Sequence, residues 1–186
     1  MYKGKKILAI IPARGGSKGV YKKNIRKIIG VPLIAIAHKC AKKVKEIDKV
    51  ILSTDDETIS KVGLKYDINI PFKRPKKISK DKSSDWEVMC HGLKKIEKIE
   101  GKISDIVMLL QPTAPLRKAK DLKKVIQLIV DNKFDAVWTV SETDLKYHPR
   151  KQLQINNGLI SYIIKSGEKL PTRQELEPIY LSLIHI

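Results

Sequence analysis

The chain has 186 residues, 42% hydrophobic and 31% charged, which suits one folded domain and excludes a disordered or fibrous chain. A formal net charge of +18 would suit a polyanion-binding surface, yet only six of the 38 basic residues are arginine and the lysines are spread along the whole chain. Aromatics make up only 5%, and no apolar run approaches the ~18 residues of a membrane span.

Lys6 to Pro12 is a continuous apolar run ended by proline. It predicts a strand buried on both faces, the mark of a parallel sheet under helices. A glycine- and lysine-rich loop follows, from Ala13 to about Gly30, and Pro32 opens a helix with Leu33, Ile36, Ala37, Cys40 and Val44 on one stripe. Val50–Thr54 predicts a second strand, with Asp55 or Asp56 capping a helix that runs to about Tyr66. Ile68–Ile70 reads as a short strand. Ser84 and Glu87 have capping-box spacing ahead of a helix bearing Met89, Leu93 and Ile96. Ile106–Leu110 predicts a third long buried strand, Leu122, Val125, Ile126 and Ile129 another helix, and Ala136–Val140 another strand. Trp86 and Trp138 read as core residues. Beyond Tyr147 the pattern loosens.

Strands alternating with helices of these lengths predict an α/β fold with a doubly wound, mostly parallel sheet. Ligands of such sheets bind beyond the carboxyl ends of the strands. Chemistry is therefore expected in loops 13–26, 53–56, 71–84, 111–118 and 141–151.

The first of these loops reads Pro12-Ala-Arg-Gly-Gly-Ser-Lys-Gly19, then Lys22-Lys-Asn-Ile-Arg26. Glycines let backbone N–H groups approach an anion, Arg14 offers a planar fork for phosphate oxygens, and Lys18 a movable charge. Asn24 is placed to donate to a phosphate or ribose. The spacing matches neither the Walker loop nor the G-x-G-x-x-G dinucleotide loop. Arg117 reads either as a further anion ligand or as a turn-closing residue. His148, beside Pro149, reads as a turn residue.

Ala13-Arg-Gly-Gly-Ser-Lys-Gly with Lys23-Asn24 resembles the nucleotide-binding signature of the acylneuraminate cytidylyltransferases, the CMP-sialic acid synthetases and their legionaminate and pseudaminate relatives. Leu110-Gln-Pro-Thr-Ala-Pro-Leu-Arg117 is similar to a second signature of that family, and Leu153–Gly158 and Arg173–Leu176 resemble two further segments. The resemblance implies a Rossmann-like nucleotidyltransferase fold over residues 1–180 and transfer of CMP from CTP to a nine-carbon sugar acid, with pyrophosphate released. It places Ala13, Arg14, Gly15, Gly16, Ser17, Lys18, Asn24, Arg74 and Ser83 around CTP, with Arg74 on the cytidine side. Gln111, Thr113, Arg150 (or its neighbour Lys151) and Arg173 fall to the sugar. Arg14, Lys18 and Gln111 carry the catalytic roles, and Mg²⁺ is the implied cofactor, with no ligands assigned to it.

Other sugar-acid cytidylyltransferases, acting on legionaminate, pseudaminate or 3-deoxy-octulosonate, share these features. An inactive fragment and a polyanion-binding protein remain as alternatives. Lys82 and Asp85 depart from the family pattern, and so does Leu181, where the family has an arginine. Residues 181–186 are therefore expected to be a non-native tail, with the family's late acidic motif and dimer arm beyond it. The expected setting is cytoplasmic, because no secretory leader pattern follows Met1. No nucleic-acid or membrane partner is expected. Cys40 and Cys90 are expected to be reduced thiols acting as small apolar residues.

Overall fold

The computed structural model describes residues 1–17, 19–164 and 176–185, the last five by backbone alone. The chain divides into two compact units, one built on Met1–Trp138 and one on Thr139–Leu183.

The first unit contains strands β1 (Ile7–Pro12), β2 (Lys27–Ile28), β3 (Val31–Pro32), β4 (Lys49–Ser53) and β5 (Ile106–Leu109). Its helices are α1 (Leu33–Lys42), α2 (Glu57–Leu64), α3 (Asp85–Glu100) and α4 (Ala119–Asp131). β4, β1 and β5 form a parallel sheet in that order, with Pro12 opposite Ser53 and Ile10 opposite Leu109. β1 is central, so its residues Ile7 to Ile11 are at most 1% exposed. Ile7, Ala9 and Ile11 share one core cluster with Ile34 and Ala37 of α1, Ile59 of α2 and Leu122 and Ile126 of α4. Leu8 and Ile10 share the other with Ile96 of α3. Alternate residues of one strand thus serve helices on opposite faces, which is the doubly wound, mostly parallel arrangement. The chain steps from β1 to β4 on one side and then crosses to β5 on the other. The strand order therefore switches beside β1, and the loops after β1 and β5 flank the crevice.

Local signals set the helix starts. The Asp56 side chain accepts from the Ile59 N–H at 2.8 Å and caps α2. Ser84 and Glu87 form the full capping box of α3, which ends at Gly101 with φ 62°. Three expectations are corrected. Ile68–Ile70 is no strand: Asn69 makes an isolated parallel bridge to Ile51, and the chain next bridges the same edge only at Lys73, to Thr54. Trp86 and Trp138 are 71% and 58% exposed, since Trp86 lies in the polar first turn of α3 and Trp138 at the unit's end. The strand expected at Ala136–Val140 forms later, as β6 (Trp138–Thr143), and lies outside the parallel sheet; Val140 is 50% exposed.

In the second unit, β7 (Leu153–Asn156) and β8 (Leu159–Tyr162) form an antiparallel hairpin. Its two-residue turn, Asn157-Gly158, has positive φ at both positions, as a type I′ turn requires. β9 (Ile179–His185) pairs with β6.

Candidate active site

The carboxyl ends of β1 and β5 open onto a polar cleft of about 310 Å³, within the usual size range of small-molecule sites. The loop after β1 contributes Arg14, Ser17, Lys23 and Asn24; the segment before α3 contributes Arg74, Lys80, Asp81 and Ser83. Asp85, the first residue of α3, and Gln111 and Thr113 after β5 complete the wall. Arg14, Arg74, Asn24, Ser17, Ser83, Gln111 and Thr113, separated by up to 99 positions in sequence, are thus gathered in one place.

The loop after β1 is held from below. Ala13 is fully buried and its N–H donates to the Ser53 carbonyl at 2.9 Å, extending the β1–β4 ladder by one residue. The Gly15 N–H donates to Asp55 Oδ1 at 3.1 Å. Asn24 is buried and one N–H of its amide donates to the Arg14 carbonyl at 3.1 Å, bracing the loop, while the residue also lines the cleft. Gly15 also has a steric reason to be glycine. A Cβ there would lie 2.6 Å from Asp56 Oδ2 and 2.9 Å from Asp56 Cβ, whereas one on Gly16 would meet nothing within 4 Å. Gly15→Ala is accordingly expected to cost about 1–3 kcal/mol of stability through overpacking. Gly16→Ala should stay within about 0.5 kcal/mol. Urea unfolding of the two variants checks this contrast.

Arg14 Nη1 lies 2.8 Å from Asp81 Oδ1 across the cleft. Arg74 is 4% exposed; its Nε donates to Ser79 Oγ at 3.1 Å and its Nη2 is 3.9 Å from Asp55 Oδ1. Burial pulls the Arg74 guanidinium below its ordinary value, and Arg14 adds to that, while Asp55 and Asp85 oppose it. Gln111 Nε2 donates to Asp85 Oδ2 at 2.8 Å, which leaves the amide oxygen as its acceptor end. The structure decides between the two readings of Arg117. It sits under the loop after β5, with Nη2 donating to the Gln111 carbonyl at 2.9 Å and its own carbonyl accepting from Cys40 Sγ at 3.3 Å. It holds Gln111 in place and does not line the cleft.

Lys18 and Arg173 lie outside the described residues. Arg150 belongs to the second unit, in a short turn (Pro149–Lys151) whose Arg150 N–H donates to His148 Nδ1 at 3.2 Å, so His148 is a turn residue as expected. Lys23, Lys80 and Asp55 were not singled out as site residues in the sequence. Lys23 adjoins Asn24 in the first motif, which was a usable signal. Nothing in sequence separates Lys80 from its lysine-rich surroundings, and Asp55 reads as a helix cap until β4 is known to lie against β1.

Four cationic side chains, Arg14, Lys23, Arg74 and Lys80, face two carboxylates, Asp81 and Asp85, in a cleft at the switch point of a parallel sheet. That combination defines a nucleotide-binding α/β protein, since converging arginines and open backbone suit a polyphosphate. The sequence profile of the cytidylyltransferase family matches residues 8–177, and the chain belongs to that family. Pseudaminic acid cytidylyltransferase of Campylobacter jejuni subsp. jejuni serotype O:2 is 33% identical over 175 residues, covering 94% of this chain and 74% of the relative. N-acylneuraminate cytidylyltransferase of Escherichia coli O18:K1:H7 is 35% identical over 123 residues, 66% of this chain and 28% of the relative. CMP:2-keto-3-deoxy-manno-octonic acid synthetase, solved in complex with CTP, superposes with a TM-score of 0.64 at 20% identity, over 98% of this chain and 72% of that one. At that identity the likeness is one of fold.

Proposed function

We propose that the protein transfers CMP from CTP to a nonulosonic acid and releases pyrophosphate. The observation that carries this reading is the convergence of Arg14, Arg74 and Gln111 from three separate loops on one polar cleft. The anomeric hydroxyl of the sugar attacks the α-phosphorus of CTP in line. The bond to the β-phosphate oxygen breaks, and pyrophosphate carries the charge away. Such a transfer asks of the protein mainly positioning and charge neutralisation. Arg14, with Lys18, takes the β- and γ-phosphates, and Arg74 the cytidine side. Gln111 offers its amide oxygen to a sugar hydroxyl, Thr113 lies beside it, and Arg150 and Arg173 are assigned to the sugar carboxylate.

Magnesium enters this proposal as the counter-ion that CTP brings. Among the described residues no three His, Cys, Asp or Glu side chains converge on one point. The two carboxylates on the cleft are bonded to Arg14 and to Gln111. These residues do not fit a protein-held metal, and no step is routed through one.

Pseudaminate is the sugar to test first, because the relative named for it aligns over 94% of this chain, against 66% for the relative named for N-acylneuraminate. The test is pyrophosphate release with each of the four nucleotides and with pseudaminate, legionaminate, N-acetylneuraminate and 3-deoxy-octulosonate. Release with CTP and one nine-carbon acid supports the proposal. Release with 3-deoxy-octulosonate alone, or equal use of all four nucleotides, overturns it. In a protein that turns over, Gln111→Ala is expected to raise the sugar KM by about tenfold, the cost of one polar substrate contact, and to leave CTP affinity within about twofold. A variant that loses CTP affinity and keeps its sugar KM would show the two substrates placed the wrong way round.

A further inference from the structure

Asp55 stands at the end of β4, outside the cleft wall, yet it touches two parts of the cleft. Its Oδ1 accepts from the Gly15 N–H at 3.1 Å and lies 3.9 Å from Arg74 Nη2. Arg74 and the start of the Gly15 loop are also fixed to the same strand end. Arg74 N–H donates to the Thr54 carbonyl at 2.8 Å, and Ala13 N–H to the Ser53 carbonyl at 2.9 Å. Asp56, the next residue, fills the space that a side chain on Gly15 would need, and its carboxylate is committed to capping α2. Without a counter-charge, the buried Arg74 would face Arg14 across the cleft; Arg74 is nearly sealed from water, so that repulsion is poorly screened. Asp55 itself is partly buried, 18% exposed at its side chain, which strengthens its hold on both partners.

We propose that Asp55 is a positioning residue that ties the loop at Gly15 to the Arg74 guanidinium, so that the phosphate side and the cytidine side of the cleft are set by one carboxylate. Asp55 does not touch substrate. It acts through its two partners, and the inference rests on the reading of the cleft as a CTP site. One consequence separates its two contacts. Asparagine in its place retains an oxygen for the Gly15 N–H and loses the charge opposite Arg74. Alanine loses both.

Calorimetry with CTP and with inorganic tripolyphosphate, on wild type, Asp55→Asn and Asp55→Ala, tests this. Tripolyphosphate probes the loop alone, and CTP probes loop and Arg74 together. Asp55→Asn is expected to keep its tripolyphosphate Kd within about twofold and to weaken CTP by about fivefold, the worth of one ion pair at the 3.9 Å separation seen here. Asp55→Ala is expected to weaken both ligands. In an Arg74→Ala background, Asp55→Asn should have no further effect on CTP, because the charge then has no partner. A general structural role would instead lower both ligands together in Asp55→Asn and depress its melting temperature. If Asp55→Ala fails to fold, the asparagine variant carries the test alone. Wild type that binds CTP, beside Asp55→Asn that binds CTP equally well or loses both ligands in parallel, overturns the linkage alone. Wild type that binds no CTP overturns the reading of the site and the linkage with it.

Discussion

Arg14→Ala is expected to weaken CTP binding by about tenfold or more, because a charged hydrogen bond to phosphate is worth about 1.5–3 kcal/mol. The free protein already gives Arg14 a partner, Asp81, at 2.8 Å, and CTP must compete with it. That competition is weak. The two side chains are 32% and 40% exposed, and a pair of that kind contributes about 0–1 kcal/mol after solvent screening. A triphosphate offers more charge and a fork-shaped set of oxygens, so the balance favours the nucleotide. Arg14→Lys is expected to recover only part of the loss, since a point charge cannot make the paired contacts of a guanidinium. Calorimetry with CTP, and with ATP, GTP and UTP as controls, reads all of this. An alanine variant with unchanged CTP affinity would remove Arg14 from the phosphate site. Equal affinity of wild type for all four nucleotides would remove cytidine recognition from the Arg74 side.

The largest expected loss of stability is at Ile10, the fully buried centre of β1 that packs with Leu8, Ile51, Ile96 and Leu109. Ile10→Ala should cost about 2–5 kcal/mol, a large share of the 5–15 kcal/mol that keeps a typical domain folded. The reason is specific to this interface. α3 approaches the sheet at Gly92, and a Cβ on Gly92 would sit 2.6 Å from Ile10 Cδ1. Gly92→Ala in the wild-type background is therefore expected to destabilise by about 1–3 kcal/mol, overriding the helix preference for alanine. In an Ile10→Val background the offending Cδ1 is gone, and the same substitution should become neutral or stabilising. Urea unfolding of the four combinations gives the coupling directly. Additive effects would show that α3 and β1 do not meet as described.

Much of the fold was legible in the sequence because its signals are local. The apolar run at Ile7–Pro12 became the central strand, Ser84 and Glu87 formed their capping box, and Asp56 took the helix cap. Strands alternating with helices were enough to predict a doubly wound sheet, and the loops expected to hold chemistry after β1 and β5 do line the cleft. Trp86 and Trp138 misled for one physical reason. An apolar or aromatic side chain reports a preference for burial, and only the neighbouring elements decide whether anything covers it. The motifs at Arg14, Arg74 and Gln111 name residue types suited to a nucleotide, but their meeting in one cleft depends on β1 and β5 lying side by side. Tertiary structure alone decided the rest. It turned Asn24 back onto the Arg14 carbonyl and Arg117 beneath Gln111, each within its own loop where no periodic signal specifies the fold-back, and it set Asp55 between Gly15 and Arg74, because the parallel register of β1 and β4 joins ends that the linear order keeps apart.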